Sequence, residues 1–338
     1  MALDLLPILR LTRVHTAAAS AAVPAAAVVA LGGEPLLAIG VFFAVVLHHI
    51  WGFSLNEVMD LEVDRRSGIH SDKPLVSGAV TLCQARIIVL VSLISSYLLF
   101  LAMAFINGSD ITVVLFPLTL STLMGYIYDA YGKRFPLSDV FVGGWMFLLV
   151  LSAGTLVYGD IPGDAVIWGI GALIFLHLVF NNSVEGGLKD AVTDRRSGVR
   201  SVAVLSGVRE EKGWLILPAG FRIWGIGLRI AFCSLIPVLF YVLSPSDELY
   251  TTLTISVAVL SIALFTCSLS FLGRRIRYDR KELLRAFSKH EMASFLLSIV
   301  AILPAIGLLA GALLFLIPVV WFVVFNRLMY RTAIKPAV

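Results

Sequence analysis

Two short segments carry acidic side chains at helical spacing, and both lead into the same string. Asn56, Asp60 and Asp64 recur every fourth residue, and Asp64 begins the string Asp-Arg-Arg-Ser-Gly. Asp190 and Asp194 repeat the spacing, and Asp194 begins a second copy of the string. Because residues i and i+4 share a helix face, each segment is predicted to present carboxylates along one side of a helix.

Stacked carboxylates repel each other and need cations beside them. Mg²⁺ suits this donor set, with Mn²⁺ as an alternative, because it accepts carboxylate oxygens and bridges to phosphate oxygens. We therefore interpret these residues as both catalytic and metal-binding residues that act on a diphosphate. They are Asp60, Asp64, Asp190 and Asp194, together with Asn56. Basic side chains would take the remaining phosphate oxygens. The basic candidates are Arg65, Arg66, Lys73, Lys133, Arg134, Lys189, Arg195, Arg196 and Arg200.

The second acidic segment is less complete than the first on its N-terminal side. Asn182 extends it two steps back, but the intervening step is Gly186, which has no side chain. Asn181 and Glu185 are neighbours that could supply a further oxygen ligand.

The composition indicates the elements that must position these residues. Of 338 residues, 59% are hydrophobic and only 14% are charged, and the mean hydropathy is +0.94. This balance excludes an ordinary soluble domain and predicts an all-α, polytopic membrane protein. The predicted spans lie near 14–32, 36–59, 82–106, 111–131, 138–158, 164–186, 222–243, 250–273 and 288–309.

The apolar stretch near 311–328 is either a tenth span or a continuation of the ninth. Pro304, Gly307, Gly311 and Pro318 argue against one straight helix there. We expect one transmembrane domain over 1–338, with pseudo-repeat halves at about 10–135 and 136–275 and C-terminal spans within 288–328.

Charge asymmetry predicts the orientation. The connections after the first, third, fifth and seventh spans lack Lys and Arg, whereas those on the other side are rich in both. The positive-inside rule places the basic side, with both acidic segments and the active site, in the cytoplasm. The two copies of the string lie four spans apart, which indicates a parallel internal repeat.

At these residues the chain resembles the UbiA superfamily of intramembrane prenyltransferases. The first family motif corresponds to Asn56, Asp60 and Asp64 with Lys73-Pro74 and Ser77-Gly78 downstream. The second corresponds to Asp190 and Asp194 with Gly198 and Ser201. The family's Tyr-containing basic loop corresponds to the sequence that begins at Tyr128, which adds this residue to the diphosphate-binding candidates.

The resemblance implies a bundle of nine helices around a lipid-open central cavity. Cytoplasmic caps would hold Mg²⁺ and an isoprenyl or polyprenyl diphosphate. The implied reaction transfers the isoprenyl group to a hydrophobic acceptor and releases pyrophosphate. The acceptor stays open between an aromatic quinone precursor, a glycerol-lipid phosphate and a sugar phosphate. His48 and His49 are candidates for the base.

Two other functions stay open. A terpene cyclase on the same scaffold would use no acceptor, and a non-enzymatic binding or transport protein would bind ions without consuming a diphosphate. The basic loops are short and next to the membrane, so we expect isoprenyl diphosphates and membrane lipids as partners rather than nucleic acid.

Overall fold

The computed structural model describes residues 5–67 and 71–332. Gly68 of the first repeated string lies outside these residues. The elements in chain order are α1 (Leu5–Leu11), α2 (Val14–Ala30), α3 (Pro35–Ser67), α4 (Leu82–Asn107), α5 (Ile111–Tyr131), α6 (Asp139–Tyr158), α7 (Ala165–Phe180), a π-helical turn (Asn181–Gly186), α8 (Gly187–Ser197), α9 (Val202–Leu205), β1 (Arg209–Glu211), β2 (Trp214–Ile216), α10 (Ala219–Leu243), α11 (Glu248–Leu269), β3 (Arg275–Arg277) and α12 (Arg280–Tyr330).

Long apolar helices dominate the described chain. Eight of them are long and apolar enough to cross a membrane, and nine if α1 and α2, which meet at 47°, form one bent span. The predicted all-α, polytopic membrane fold is confirmed, and the predicted spans coincide with helices. The three short strands were not predicted.

The helices that carry the acidic segments continue beyond the length of a span. α3 has 33 residues, or about 50 Å, whereas a bilayer core is about 30 Å thick. Asn56, Asp60 and Asp64 therefore lie on the C-terminal extension of one continuous helix. α7, the π-helical turn and α8 form a second continuous segment that carries Asp190 and Asp194.

The last helix contains a sharp break. Gly307 has φ 75° and ψ 164°, which interrupts the 51-residue α12. This is a backbone region that is essentially restricted to glycine. The expectation that no single straight helix runs through this region is confirmed.

The described residues form two compact units. The first comprises the chain through Ala130, Leu148–Ile167 and the segment from Ala312. In this unit α3 packs against α2 and α4. The C-terminal segment packs on the N-terminal helices, since Trp321 Nε1 donates to the Val14 carbonyl at 2.7 Å.

The second unit comprises Tyr131–Phe147 and Trp168–Gly311. Here β1, β2 and β3 form an antiparallel sheet in that order. A buried apolar cluster joins this sheet to the second acidic segment. Its members include Phe180, Val184, Leu188, Ala203, Leu215, Phe221, Ile276 and Phe287. The single-domain boundary and the repeat halves stay predictions.

Replacing Gly307 tests the break. We expect Gly307→Ala to destabilise the protein by about 1–3 kcal/mol, because a Cβ disfavours this backbone conformation. Gly227→Ala in α10 is the control, since both glycines have open space at the Cβ position and Gly227 lacks a positive φ. Thermal unfolding in detergent would measure both variants, and equal midpoints would contradict the expectation.

Candidate functional site

The first acidic segment brings its predicted residues to one side of α3. Asp60 and Asp64 are 9% and 5% exposed, so both carboxylates are largely withdrawn from solvent. Asn56 Nδ2 donates to Oδ1 of Asp129 at 3.1 Å. Asp129 on α5 is a polar neighbour that the sequence analysis did not identify.

Cations compensate these carboxylates within the same unit. Lys73 Nζ lies 2.7 Å from Oδ2 of Asp64 and 3.1 Å from Oε1 of Glu57. Arg13 donates to the same Glu57 oxygen at 2.9 Å and also interacts electrostatically with Asp60. The predicted cation Lys73 is thus placed at the first segment, and Glu57 and Arg13 join it. Arg65 is exposed, and nothing is described for the Arg66 side chain.

Local packing explains why Lys73 can reach Asp64. The backbone after Lys73 turns through hydrogen bonds from Ser77 N to the Lys73 carbonyl and from Val80 N to the Pro74 carbonyl. The buried side chains of Leu11, Leu75, Val80 and Ala85 form a small core under this turn. The Lys-Pro and Ser-Gly pairs therefore shape the return of the chain toward α3.

The second acidic segment is arranged on α8. Asp190 Oδ1 lies 3.2 Å from a guanidinium nitrogen of Arg280, and its Oδ2 lies 3.8 Å from Lys189 Nζ. Asp194 accepts a hydrogen bond from Ser201 and interacts electrostatically with Lys133 and Lys189. The structure therefore brings two predicted cations, Lys133 and Lys189, to the second acidic pair.

The loop after α8 is tied to the loop before α6. Arg200 N donates to the Lys133 carbonyl at 3.0 Å. The exposed Arg195 donates to the Val208 carbonyl at 2.8 Å, so its described contact is with its own loop. The exposed guanidinium of Arg134 stacks over Tyr131 at 5.7 Å. Tyr128 is half-buried near the end of α5.

The π-helical turn alters the helical register of the second acidic segment. The turn comprises Asn181–Gly186 and so contains Asn182, and the four-residue register of an α-helix does not extend from Asp190 back to this residue. Asn182 instead donates to the Leu178 carbonyl at 2.9 Å. Asn181, the alternative oxygen source, donates to Glu291 of α12 at 3.1 Å.

A buried charged network surrounds Glu185, the acid of this turn. His290 Nδ1 lies 2.6 Å from Glu185 Oε1, so a hydrogen bond joins the two side chains. Ser268 Oγ lies 2.7 Å from the other ring nitrogen of His290. Arg229 Nη2 lies 2.9 and 3.0 Å from the two ring nitrogens and donates to Ser294 at 3.1 Å.

This network joins four elements in a place where isolated charges are costly. Glu185, His290 and Arg229 are 3%, 6% and 1% exposed, and the guanidinium of Arg229 lies 4.0 Å from the ring centroid of Phe180. A buried charge next to lipid needs both hydrogen bonds and an opposite charge. Through this network Glu185 anchors the π-helical turn to α10, α11 and α12.

Sequence reasoning missed Glu57, Asp129, Arg229, His290 and Glu291. Each of these acts across helices, so no local spacing relates it to its partner. The one available signal was the presence of ionisable residues inside apolar spans, which applies best to Arg229 in α10.

The donors of both acidic segments fit a hard divalent cation. All of them are carboxylate or amide oxygens, the ligands that Mg²⁺ prefers. In residues 5–67 and 71–332, no three His, Cys, Asp or Glu side chains form a ready-made metal cage. Mg²⁺ usually binds one or two carboxylates and completes its coordination with water and phosphate.

Together these features define an integral membrane protein with two charge-compensated acidic helix extensions. The sequence profile of the UbiA prenyltransferase family matches residues 16–287. The chain therefore belongs to the UbiA prenyltransferase family. This membership makes it a prenyltransferase, as the repeated motifs predicted.

Curated relatives and solved structures are consistent with this family membership. The polyprenyl transferase mpaA′ of Penicillium brevicompactum is 29% identical over 252 residues, which cover 68% of this chain and 67% of the relative. A structure of digeranylgeranylglyceryl phosphate synthase aligns with TM-score 0.62 and 19% identity, over 89% of this chain and 98% of that one. A UbiA homologue from Archaeoglobus fulgidus bound to GPP and Mg²⁺ aligns with TM-score 0.59 and 16% identity, over 88% and 99% of the two chains.

Removing the buried arginine tests the network. We expect Arg229→Ala to destabilise the protein by about 3–5 kcal/mol, because the buried hydrogen bonds to His290 and Ser294 and the stacking on Phe180 would be lost. The exposed Arg285 of α12 gives the control Arg285→Ala, with an expected change within about 0.5 kcal/mol. Chemical or thermal unfolding in detergent would measure both, and similar losses would refute a special role for Arg229.

Proposed function

We propose that this protein transfers an isoprenyl group from an isoprenyl or polyprenyl diphosphate to a hydrophobic or aromatic acceptor in the membrane, in a Mg²⁺-dependent reaction. Pyrophosphate is the second product. The observation that carries the proposal is the pair of acidic helix extensions, each with its own cations, in a UbiA family member.

Relatives and the lysines beside the acidic residues both support an isoprenyl diphosphate as the donor substrate. The Archaeoglobus fulgidus homologue was solved with GPP and Mg²⁺ and also with DMAPP and Mg²⁺, both of them isoprenyl diphosphates. In this chain, Lys73, Lys133 and Lys189 lie beside the acidic residues and are suited to phosphate oxygens. Arg65, Arg134, Arg195 and Arg200, with Tyr128, remain further candidates for the same role.

The acidic residues have separable roles in this proposal. Asp60, Asp64, Asp190 and Asp194 hold Mg²⁺, or Mn²⁺ in its place, and Asn56 orients a ligand oxygen. When bound, the metal neutralises negative charge on the departing diphosphate. The lysines now paired with Asp64 and Asp190 would shift to the phosphate oxygens, so that the site stays charge-balanced when substrate enters.

Bond cleavage then leaves an allylic cation, which the acceptor attacks while losing a proton. His48 and His49 remain candidates for the base that takes that proton. They are 0% and 2% exposed, and His49 is engaged by Ser20 at 3.0 Å. The curated relatives are polyprenyl transferases, which favours an acceptor over cyclisation without one.

We also propose that the acidic segments face the cytoplasm, as the distribution of Lys and Arg predicts. Membrane lipids surround the bundle, and the substrate tail would enter from the bilayer. One transmembrane domain over the whole chain fits the family match, which runs through both structural units.

Neutralising one carboxylate in each segment tests the assignment. Asp64→Asn and Asp194→Asn should each lower Mg²⁺-dependent turnover at least about 100-fold, because a metal or phosphate contact is lost in the transition state. Glu62→Gln is the matched control, since Glu62 is exposed on the same helix as Asp64. Turnover would be followed as pyrophosphate release, and full activity in both Asn variants would refute the proposal.

Pyrophosphate release also separates the reaction classes. Purified protein in nanodiscs would receive isoprenyl diphosphates of several lengths, with and without aromatic and lipid acceptors. We expect release that depends on an acceptor, with a product mass equal to the acceptor plus the isoprenyl group less one hydrogen. Release without acceptor, with a cyclic hydrocarbon or alcohol as product, would instead identify a cyclase.

A further inference from the structure

A basic cleft opens beside the small sheet of the second unit. Its volume is about 890 Å³. Its walls come from the hairpin of β1 and β2, the start of α10 and the residues where β3 begins. The lining residues are Glu211, Lys212, Ile216, Leu217, Ala219, Arg222, Arg274 and Arg275.

The charge of this cleft is strongly unbalanced. Four lining residues are cationic, and the acidic one, Glu211, already pairs with Arg209 at 2.6 Å. Arg222 is held in place because its Nε donates to the Leu272 carbonyl at 2.8 Å. Ile216, Leu217 and Ala219 give the cleft an apolar floor. A ligand that fits it therefore combines negative charge with apolar surface.

The turn between β1 and β2 places one of these cations at a conformational cost. Glu211 pairs with Trp214 across the hairpin, so Lys212 and Gly213 form a two-residue loop. Both have positive φ, 51° and 80°. Such loops favour Asn-Gly or Gly-Gly, and lysine rarely adopts this conformation. The structure thus keeps an ammonium group at the cleft in a position that glycine would fill with less strain.

The cleft lies where a membrane-spanning helix begins. α10 starts at Ala219 and is a candidate span of 25 residues. Trp214, which is 41% exposed, lies next to the cleft, with the guanidinium of Arg275 5.4 Å from its ring centroid. Tryptophan and arginine at the end of a span are typical of the headgroup layer of a bilayer.

We infer that this cleft binds the phosphate headgroup of an anionic phospholipid. The phosphate would meet Lys212, Arg274 and Arg275, and the upper part of the acyl chains would lie on Ile216 and Ala219. Charge complementarity favours an anion, and the apolar lining together with the position at the start of α10 favours a lipid over a soluble anion. Family membership does not require such a site.

The cleft is connected to the second acidic segment. β3 is an edge strand of the small sheet, and the chain continues from it through Tyr278 to Arg280. Tyr278 donates to the Lys189 carbonyl at 3.3 Å, and Arg280 pairs with Asp190 at 3.2 Å. A lipid bound at Arg274 and Arg275 would therefore steady the strand that precedes these two contacts.

Lipid retention tests the inference. Wild-type protein in nanodiscs of phosphatidylcholine with a minor fraction of phosphatidylglycerol would be released and examined by native mass spectrometry. The cleft variant combines Arg274→Gln with Arg275→Gln, and the control combines Lys281→Gln with Arg285→Gln, two exposed residues of α12 outside the cleft lining. We expect the cleft variant to lose roughly 30-fold in phosphatidylglycerol affinity, at about 1 kcal/mol for each cation near the surface.

A second variant keeps the test independent of folding. Lys212→Gly removes the charge and relieves the strained backbone, so we expect a higher unfolding midpoint together with weaker phosphatidylglycerol retention. Equal retention by the wild type, both cleft variants and the control would overturn the inference. Soluble pyrophosphate is added in a parallel arm. Its binding to wild type and loss in the cleft variant, with lipid retention unchanged, would assign the cleft to a soluble anion and overturn the lipid assignment.

Discussion

Charge compensation at the edge of an apolar bundle is the constraint on which both acidic segments depend. Carboxylates that are withdrawn from water favour protonation unless cations lie beside them. Lys73 and Arg13 supply these cations at the first segment, and Arg280 and the neighbouring lysines supply them at the second. These cations offset the negative charge that each acidic segment gathers in one place.

The fold meets this constraint by extending membrane helices beyond the span. A carboxylate on an extension is fixed by the same rigid backbone that crosses the bilayer, rather than by a loop. The two extensions are nevertheless secured differently. A short apolar core and the turn after Lys73 hold the first. The second is held by the π-helical turn, the network around Glu185 and the small three-stranded sheet.

Sequence patterns predicted the features that lie within one helix and missed the contacts between distant segments. The four-residue spacing gave both acidic pairs, and hydropathy gave the spans, because each is encoded by neighbours on one helix. Glu57 lies on α3 whereas Lys73 lies in the segment after it, and Glu185 meets His290 from 105 residues away. The strands were not predicted because each is three residues long and lies in a loop rich in charge. The π-helical turn was not predicted because the insertion of one residue into a helical turn leaves no recognisable composition.

The contact between Trp321 and Val14 has a consequence for biosynthesis. These residues are 307 positions apart, so ribosomes working at about 5–20 residues per second make the second roughly 15–60 s after the first. During that interval the N-terminal helices reside in the bilayer without the segment that later covers them. The unit that carries the first acidic segment is therefore completed only after translation of the last helix. A chaperone or insertase acting on this protein would therefore encounter that unit incomplete until translation of the last helix ends.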